Sequence, residues 1–342
     1  MLRKSLAALV LAGIVSAPAH AQDLPDVWDE NRLDARPPAG VFGAQLMPGG
    51  DLRIQYTLGR DSYGDVRFGT QTVPFLDVLD VYSGVPLART EMSHRVSLEY
   101  GFSEAWTFAF AAAWLSNTRD LANEDVLVTN QSSGLSDIMA GALFQVFEGN
   151  GISAHLNAAV EIPTGSIEKV GQDLTGNTRL LPYEMQMGAG SLTVVPGATA
   201  AIQNEHGTVG GQALAKIRVM DNSRDYRLGN EFHGNVWMAY NVSEFISLST
   251  GARVRTWGSI QGEDAAMDSS LEPGQDPLLS SGTAVAIPAG VNFRLPQGML
   301  AGTEVLFEMV FPAYQSYDAF RQQGDWGINF TASKNFHIGD IF

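Results

Sequence analysis

The sequence predicts an all-β protein: a transmembrane antiparallel up-and-down β-barrel of about 12 strands, with about 14 as the alternative count. Three observations predict it. Alternating apolar and polar segments run mostly 10 to 14 residues, where a tilted membrane strand needs about 9–11 and a soluble strand about 5–6. The gaps between them alternate between short and long. Within each segment the apolar residues hold one parity and the charged residues the other.

The chain opens on Arg3 and Lys4, an apolar stretch from Ser5 to Val15, and Ala19-His20-Ala21. That is the anatomy of a secretory signal over 1–21, cleaved before Gln22. The stretch is too short to span a bilayer, which takes about 20 apolar residues. Residues 22–50, rich in Pro and Gly, match no membrane strand. Their composition favours a disordered periplasmic arm, with a plug folded into the lumen as the other placement.

The barrel is expected over 51–342. Its strands are read at Asp51–Arg60, Thr90–Gly101, Ala105–Ser116, Ser136–Phe147, Gly151–Pro163 and Gly188–Gln203. Six more follow at Gly207–Val219, Asn230–Asn241, Phe245–Gly258, Gly282–Leu295, Met299–Phe311 and Gly324–Phe336. Tyr63–Val73 and Leu76–Val85 would add a hairpin in the higher count. The turns Phe102-Ser103-Glu104, Glu148-Gly149-Asn150, Asn204-Glu205-His206, Val242-Ser243-Glu244 and Pro296-Gln297-Gly298 are short, and the gaps between them long. Short periplasmic turns with long outer loops mark bacterial outer-membrane barrels. The chain ends in Phe342, an aromatic terminus common in such barrels. Asp340 breaks the upstream apolar alternation, so the last strand is expected to stop at Phe336.

The faces agree with the spacing. Trp106, Phe108, Phe110, Ala112 and Trp114 share one parity, and Thr107, Ala109, Ala111 and Ala113 the other. Ile246, Leu248, Ala252 and Val254 oppose Ser247, Ser249, Arg253 and Arg255; Val305, Phe307, Met309 and Phe311 oppose Glu304 and Glu308. Successive strand side chains point to opposite faces, so these parities give an apolar skin and a polar interior. A soluble sandwich would bury those charges unpaired, at high cost. Tyr56, Tyr100, Trp106, Trp114, Trp257 and Trp326 fall near strand ends, where interfacial aromatic belts lie.

Without Arg3 and Lys4 the chain carries 19 Lys plus Arg against 37 Asp plus Glu, a balance of −18. That argues against nucleic acid, whose affinity comes from neutralised phosphates. The absence of cysteine excludes a disulfide framework and a thiolate metal site. The partners expected are outer-membrane lipid and lipopolysaccharide, the barrel-assembly machinery and small solutes.

Parity assigns Arg53, Arg95, Glu99, Glu161, Lys216, Arg218, Arg253, Arg255, Arg294, Glu304 and Glu308 to the lumen. Seven cations face four anions, a balance that favours anions in a pore unless the charges pair as wall residues. The loop acids Asp264, Asp268, Glu272 and Asp276, and Asp61, Asp65, Asp77 and Asp80, match no calcium-loop spacing; no metal and no cofactor is expected. No enzyme is expected either. A barrel phospholipase needs a serine activated by a histidine, and His155-Leu156-Asn157 and His233-Gly234-Asn235 offer no serine.

Several stretches resemble a family of outer-membrane transporters named after the meta-pathway of phenol degradation. They are Pro37-Pro38-Ala39-Gly40-Val41, Ser132-Ser133-Gly134-Leu135-Ser136-Asp137, Pro163-Thr164-Gly165-Ser166 and the run Leu181 to Gly188. Asp225-Tyr226-Arg227-Leu228-Gly229 and Trp257-Gly258-Ser259-Ile260 continue the match. The resemblance implies a porin-like barrel in the cell outer membrane and a transport role, with hydrophobic or aromatic compounds among the solutes. Relatives often carry a His/Met-dense segment after the Pro-Ala-Gly-Val element; here that place reads Phe42-Gly43-Ala44-Gln45-Leu46-Met47, with a single Met. The function expected is therefore passive passage of small solutes, aromatic or anionic ones included. A closed barrel with a structural or surface-interaction role is the alternative.

Overall fold

The computed structural model describes residues 28–277, 280–298 and 300–338, so the expected signal peptide and Phe342 lie outside the described residues. Eleven strand elements close into a ring. They are β1 Asp51–Gly69, β2 Val85–Ser103, β3 Trp106–Ala122, β4 Ile138–Gly149, β5 Ile152–Ile162 and β6 Thr193–Gln203. β7 Gly207–Arg218, β8 Glu231–Ser243, β9 Ile246–Trp257, β10 Gly282–Arg294 and β11 Glu304–His337 complete it. Each pairs antiparallel with its sequence neighbour, and β11 pairs with β1 to close the barrel.

β11 is 34 residues long and doubles back. Its first leg pairs with β10 from Arg294↔Glu304 to Gly282↔Tyr317, and its second with β1 down to Asp51↔His337. Across the two legs Asn329 donates to Glu308 at 3.1 Å. Counting both legs, twelve staves surround the lumen, an even number as up-and-down closure requires. Two further strands, Gln71–Thr72 and Leu127–Leu135, extend the sheet outside the ring. The extra hairpin of the fourteen-strand count does not form. β1 runs on to Gly69 instead, and Phe75–Leu79 is a short helix whose Val78 packs with Val66, Tyr82 and Val85.

Several boundaries differ from expectation because the ladder, not the parity signal, sets them. β2 starts at Val85 rather than Thr90, where pairing with β3 runs on past the alternation. β6 starts only at Thr193 rather than Gly188, and the eleventh expected strand only at Glu304 rather than Met299, where pairing with the neighbours begins. The Asn150-Gly151 turn has both residues at positive φ, 50° and 69°. That conformation matches the strand twist of a two-residue hairpin and is one Asn and Gly tolerate.

The faces follow the alternation. On β3 Trp106, Phe108, Phe110 and Trp114 are exposed, while Thr107, Ala109, Ala111 and Ala113 are buried. On β9 Leu248 is exposed and Ser247 and Ser249 are buried; on β11 Phe307 and Phe311 are exposed and Glu304 and Glu308 buried. An apolar exterior over a polar interior is the inverse of a soluble core, and only an apolar solvent makes it stable. Among the described residues no helix is long and apolar enough to cross a membrane. Trp257 departs from the belt expectation: it shares the inward parity of Arg253 and Arg255 and lines the lumen.

Residues 28–50, for which composition favoured a disordered arm, are seated inside the barrel at the end with the short turns. Leu33–Ala35 forms a single 3-10 turn there, with all three residues buried.

Candidate functional site

The candidate site is the lumen, closed at the short-turn end by residues 28–50. Buried backbone groups need partners, and those of this segment are met by wall side chains around much of the ring. Thr107 on β3 accepts from the Met47 amide at 2.8 Å. His155 and Asn157 on β5 bond the Gly43 carbonyl at 3.0 and 2.6 Å, and Gln212 on β7 donates to the Phe42 carbonyl at 2.9 Å. Gln203 on β6 pairs with both backbone groups of Asp29. Arg253 donates to the Ala39 carbonyl, and Glu308 accepts from the Ala39 amide at 3.0 Å. The side chains of the segment add three anchors, of which Arg32 donates to the Asn204 carbonyl at 2.6 Å. Asp34, fully buried, accepts from Thr208 at 2.7 Å, from Asn241 and from Arg32. Arg36 is paired with Glu304.

Above this plug two cavities adjoin. The lower, about 290 Å³, is bounded by the plug's Arg36–Phe42 and by β1 and β2. The upper, about 570 Å³, lies under the long loops and is lined by Tyr63, Arg89, Trp257, Tyr317 and Arg321 among others. Asp61, Glu91, Leu115 and Val310 line both.

The long loops roof the upper cavity, and the stretches that carry the family resemblance, other than Pro37–Val41 in the plug, meet there. Ser132 donates to the Met185 carbonyl at 2.7 Å. The Asp137 carboxylate accepts from the amides of Gly165 and Ala189 at 3.0 and 2.8 Å. Tyr183 and Tyr226 pack edge-on, ring centres 4.8 Å apart, with Ile260 and Leu228 against them. Gly229 lies so close to Gly258 that a Cβ would sit 1.9 Å from its carbonyl oxygen, so no larger side chain fits without movement. Beneath, Arg119 at the top of β3 is fully buried, paired with Glu272 and 3.6 Å from Glu184. Burial pushes the Glu272 carboxyl above the usual range, against the pull of Arg119. Burial also raises the Tyr183 and Tyr226 phenols, although both meet polar partners.

Six of the seven expected lumen cations are in ion pairs. Arg53 meets Glu99 at 2.8 Å, Lys216 meets Glu161 at 2.7 Å, and Arg253 meets Glu308 at 2.8 Å. Arg218 and Arg255 share Glu231, at 2.6 and 2.8 Å, and Arg294 shares Glu304 with Arg36. Arg95 has no hydrogen bond or ion pair among the described residues and lines the lower cavity. The wall charges thus balance each other largely in place.

Sequence reasoning missed Asp34, Arg36, Asp61, Arg89, Glu91, Arg119 and Glu231. Glu91 shares the parity of Glu99 and Arg95, and Asp61 extends that of Arg53, so alternation could have found both. Arg89 and Arg119 lie on strand ends beyond the expected boundaries. Asp61 is a wall residue rather than part of a loop cluster. Asp264 is bound to Arg224, Asp268 to Ser270 and Glu272 to Arg119, so these acids do not converge. His155 and His233 serve as wall partners, of Gly43 and of Glu231.

A closed outer-membrane-type barrel with an inner segment and roofed chambers is the class of protein these features define. The chain belongs to the family described as "Putative MetA-pathway of phenol degradation", whose match spans residues 42–299. Among solved structures it resembles an outer membrane channel from Pseudomonas putida F1, at 12% identity and TM-score 0.61, covering 87% of this chain and 100% of that one. A FadL homologue from Pseudomonas aeruginosa matches at 10% identity and TM-score 0.43, covering 92% and 99%. The Pseudomonas putida toluene transporter TodX matches at 10% and 0.36, covering 85% and 90%. The first similarity bears on the fold alone. No curated protein sequence matches the chain.

Proposed function

We propose that this chain is a passive channel of the Gram-negative outer membrane, carrying small solutes through two chambers in series and throttled by residues 28–50. The single observation behind this reading is the pair of adjoining cavities, about 570 and 290 Å³ and lined by charged, aromatic and aliphatic groups together, inside a barrel whose outer face is apolar. A channel needs open space along its axis, whereas a barrel with a purely structural role can fill its interior with side chains. In this reading the exposed aromatic and aliphatic belt faces lipid and lipopolysaccharide, and the strands are delivered by the barrel-assembly machinery. The aromatic rings of the upper chamber would admit flat solutes as well as polar ones.

Liposome swelling with refolded protein tests this, using salts, sugars, amino acids and small aromatic acids. Swelling that ranks these solutes is expected. One observation favours a closed barrel instead: the plug is bonded to wall strands from β3 to β11. Folded protein that gives no swelling with any solute would decide for that second reading.

A further inference from the structure

Arg95 stands apart from every other cation of the lower chamber. Arg53 is bound to Glu99, Arg36 to Glu304 and Arg253 to Glu308. Glu161 and Glu91 act on Arg95 only from beyond ion-pair distance. Its surroundings explain why nothing reaches it. Thr57 lies across from it on β1 and Ala113 on β3, with Ser93 and Ser97 on either side along β2. All four are too short to bridge to a guanidinium, and none is charged. The chamber it enters has the paired charges just named in its wall, together with neutral polar groups such as Gln55, Asn292 and Thr331.

Arg95 is only half-buried and none of its nitrogens is sealed from the chamber, so the guanidinium is open to an incoming anion. Its planar fork fits a carboxylate through two parallel hydrogen bonds. The carboxylates nearby do not compete: Glu99 and Glu304 are held by arginines, and Glu91 lies 3.2 Å from Arg89. Asp61, four residues along β1 from Thr57, is roughly 13 Å further up at the usual strand rise. With Glu91 it forms the rim between the chambers, a rim that repels a second negative charge.

We propose that Arg95 is the anchor of a solute-binding site for small monocarboxylates in the lower chamber. This rests on the channel reading for the route by which the solute arrives, but the binding itself does not need conduction. The carboxylate sits on the Arg95 guanidinium, and the tail lies toward the plug.

The test is a calorimetric titration of the folded, full-length mature protein with sodium acetate and, separately, sodium succinate in low-chloride buffer. Wild-type protein is expected to bind acetate saturably and more tightly than succinate. Arg95→Gln should weaken acetate binding at least tenfold, Arg95→Lys should restore part of it, and Arg227→Gln, on a distant loop, should match wild type. Acetate binding unchanged in Arg95→Gln overturns the site, and succinate binding as tightly as acetate overturns its restriction to monocarboxylates. Bilayer recordings on the same preparations separate the two readings. Acetate binding that depends on Arg95 in a barrel that does not conduct would sink the channel and leave the site standing. Conduction with Arg95-independent binding would do the reverse.

Discussion

At the short-turn end of the barrel the segment 28–50 meets the wall mostly through its backbone, whose amides and carbonyls are received by Thr107, His155, Asn157, Gln212 and Arg253. At the other end the loops meet one another mostly through their own side chains: Tyr183 on Tyr226, Asp137 on two loop amides, Arg119 against Glu184 and Glu272. The difference concerns where the information for closure resides. A roof built from its own side chains is written in its own residues. A plug built from backbone is written in the wall that receives it, because any short chain offers the same amides and carbonyls.

The comparison breaks most visibly if the plug is removed. Deleting residues 28–47 should raise single-channel conductance severalfold in bilayer recordings, since the wall groups then line open water. Unchanged conductance would place the throttle in the roof instead.

Next in size is Glu308→Ala. It strips Arg253 of its partner and the Ala39 amide of its acceptor, and breaking one side of a buried pair costs about 3–5 kcal/mol. Denaturant unfolding of the refolded barrel should show that loss. A cost near zero would mean that water replaces the carboxylate.

A smaller effect is expected at Gly43, which has φ of 56° and where a Cβ would come 2.8 Å from Leu143. Gly43→Val combines a left-handed backbone with that clash and should destabilise by roughly 1–3 kcal/mol. The loss should be confined to the plug and visible as faster amide exchange over 28–50 with the strands unaffected.

The smallest signal is in the roof. Burial raises the Tyr183 and Tyr226 phenols above their ordinary value, so folding favours the neutral form. Their contribution is complete below the unfolded value of about 10 and is lost as pH rises above it. A spectrophotometric titration should therefore show two tyrosines ionising late, together with loosening of the loops. Both ionising normally would mean that the roof is open in solution.

Of the candidate site, the wall was largely legible and its occupants were not. Arg53, Glu99, Arg253 and Glu308 could be placed inside from alternation alone, because one residue of register decides the face. Pairing could not be placed, since Arg218 and Arg255 reach Glu231 from two different strands. Arg119 bridges loops about 90 residues apart from one another in the chain, Glu184 and Glu272, a contact no local pattern encodes.

The sequence by itself determined the barrel class, the parity of its faces and the positions of most strands. The physical reason is that a period of two, repeated over segments long enough to cross hydrocarbon, has few other stable outcomes. Only the tertiary structure decided that β11 turns back to make the twelfth stave, that residues 28–50 enter the lumen, and that Arg95 is left without a partner. Each of these depends on which distant groups a closed ring brings face to face.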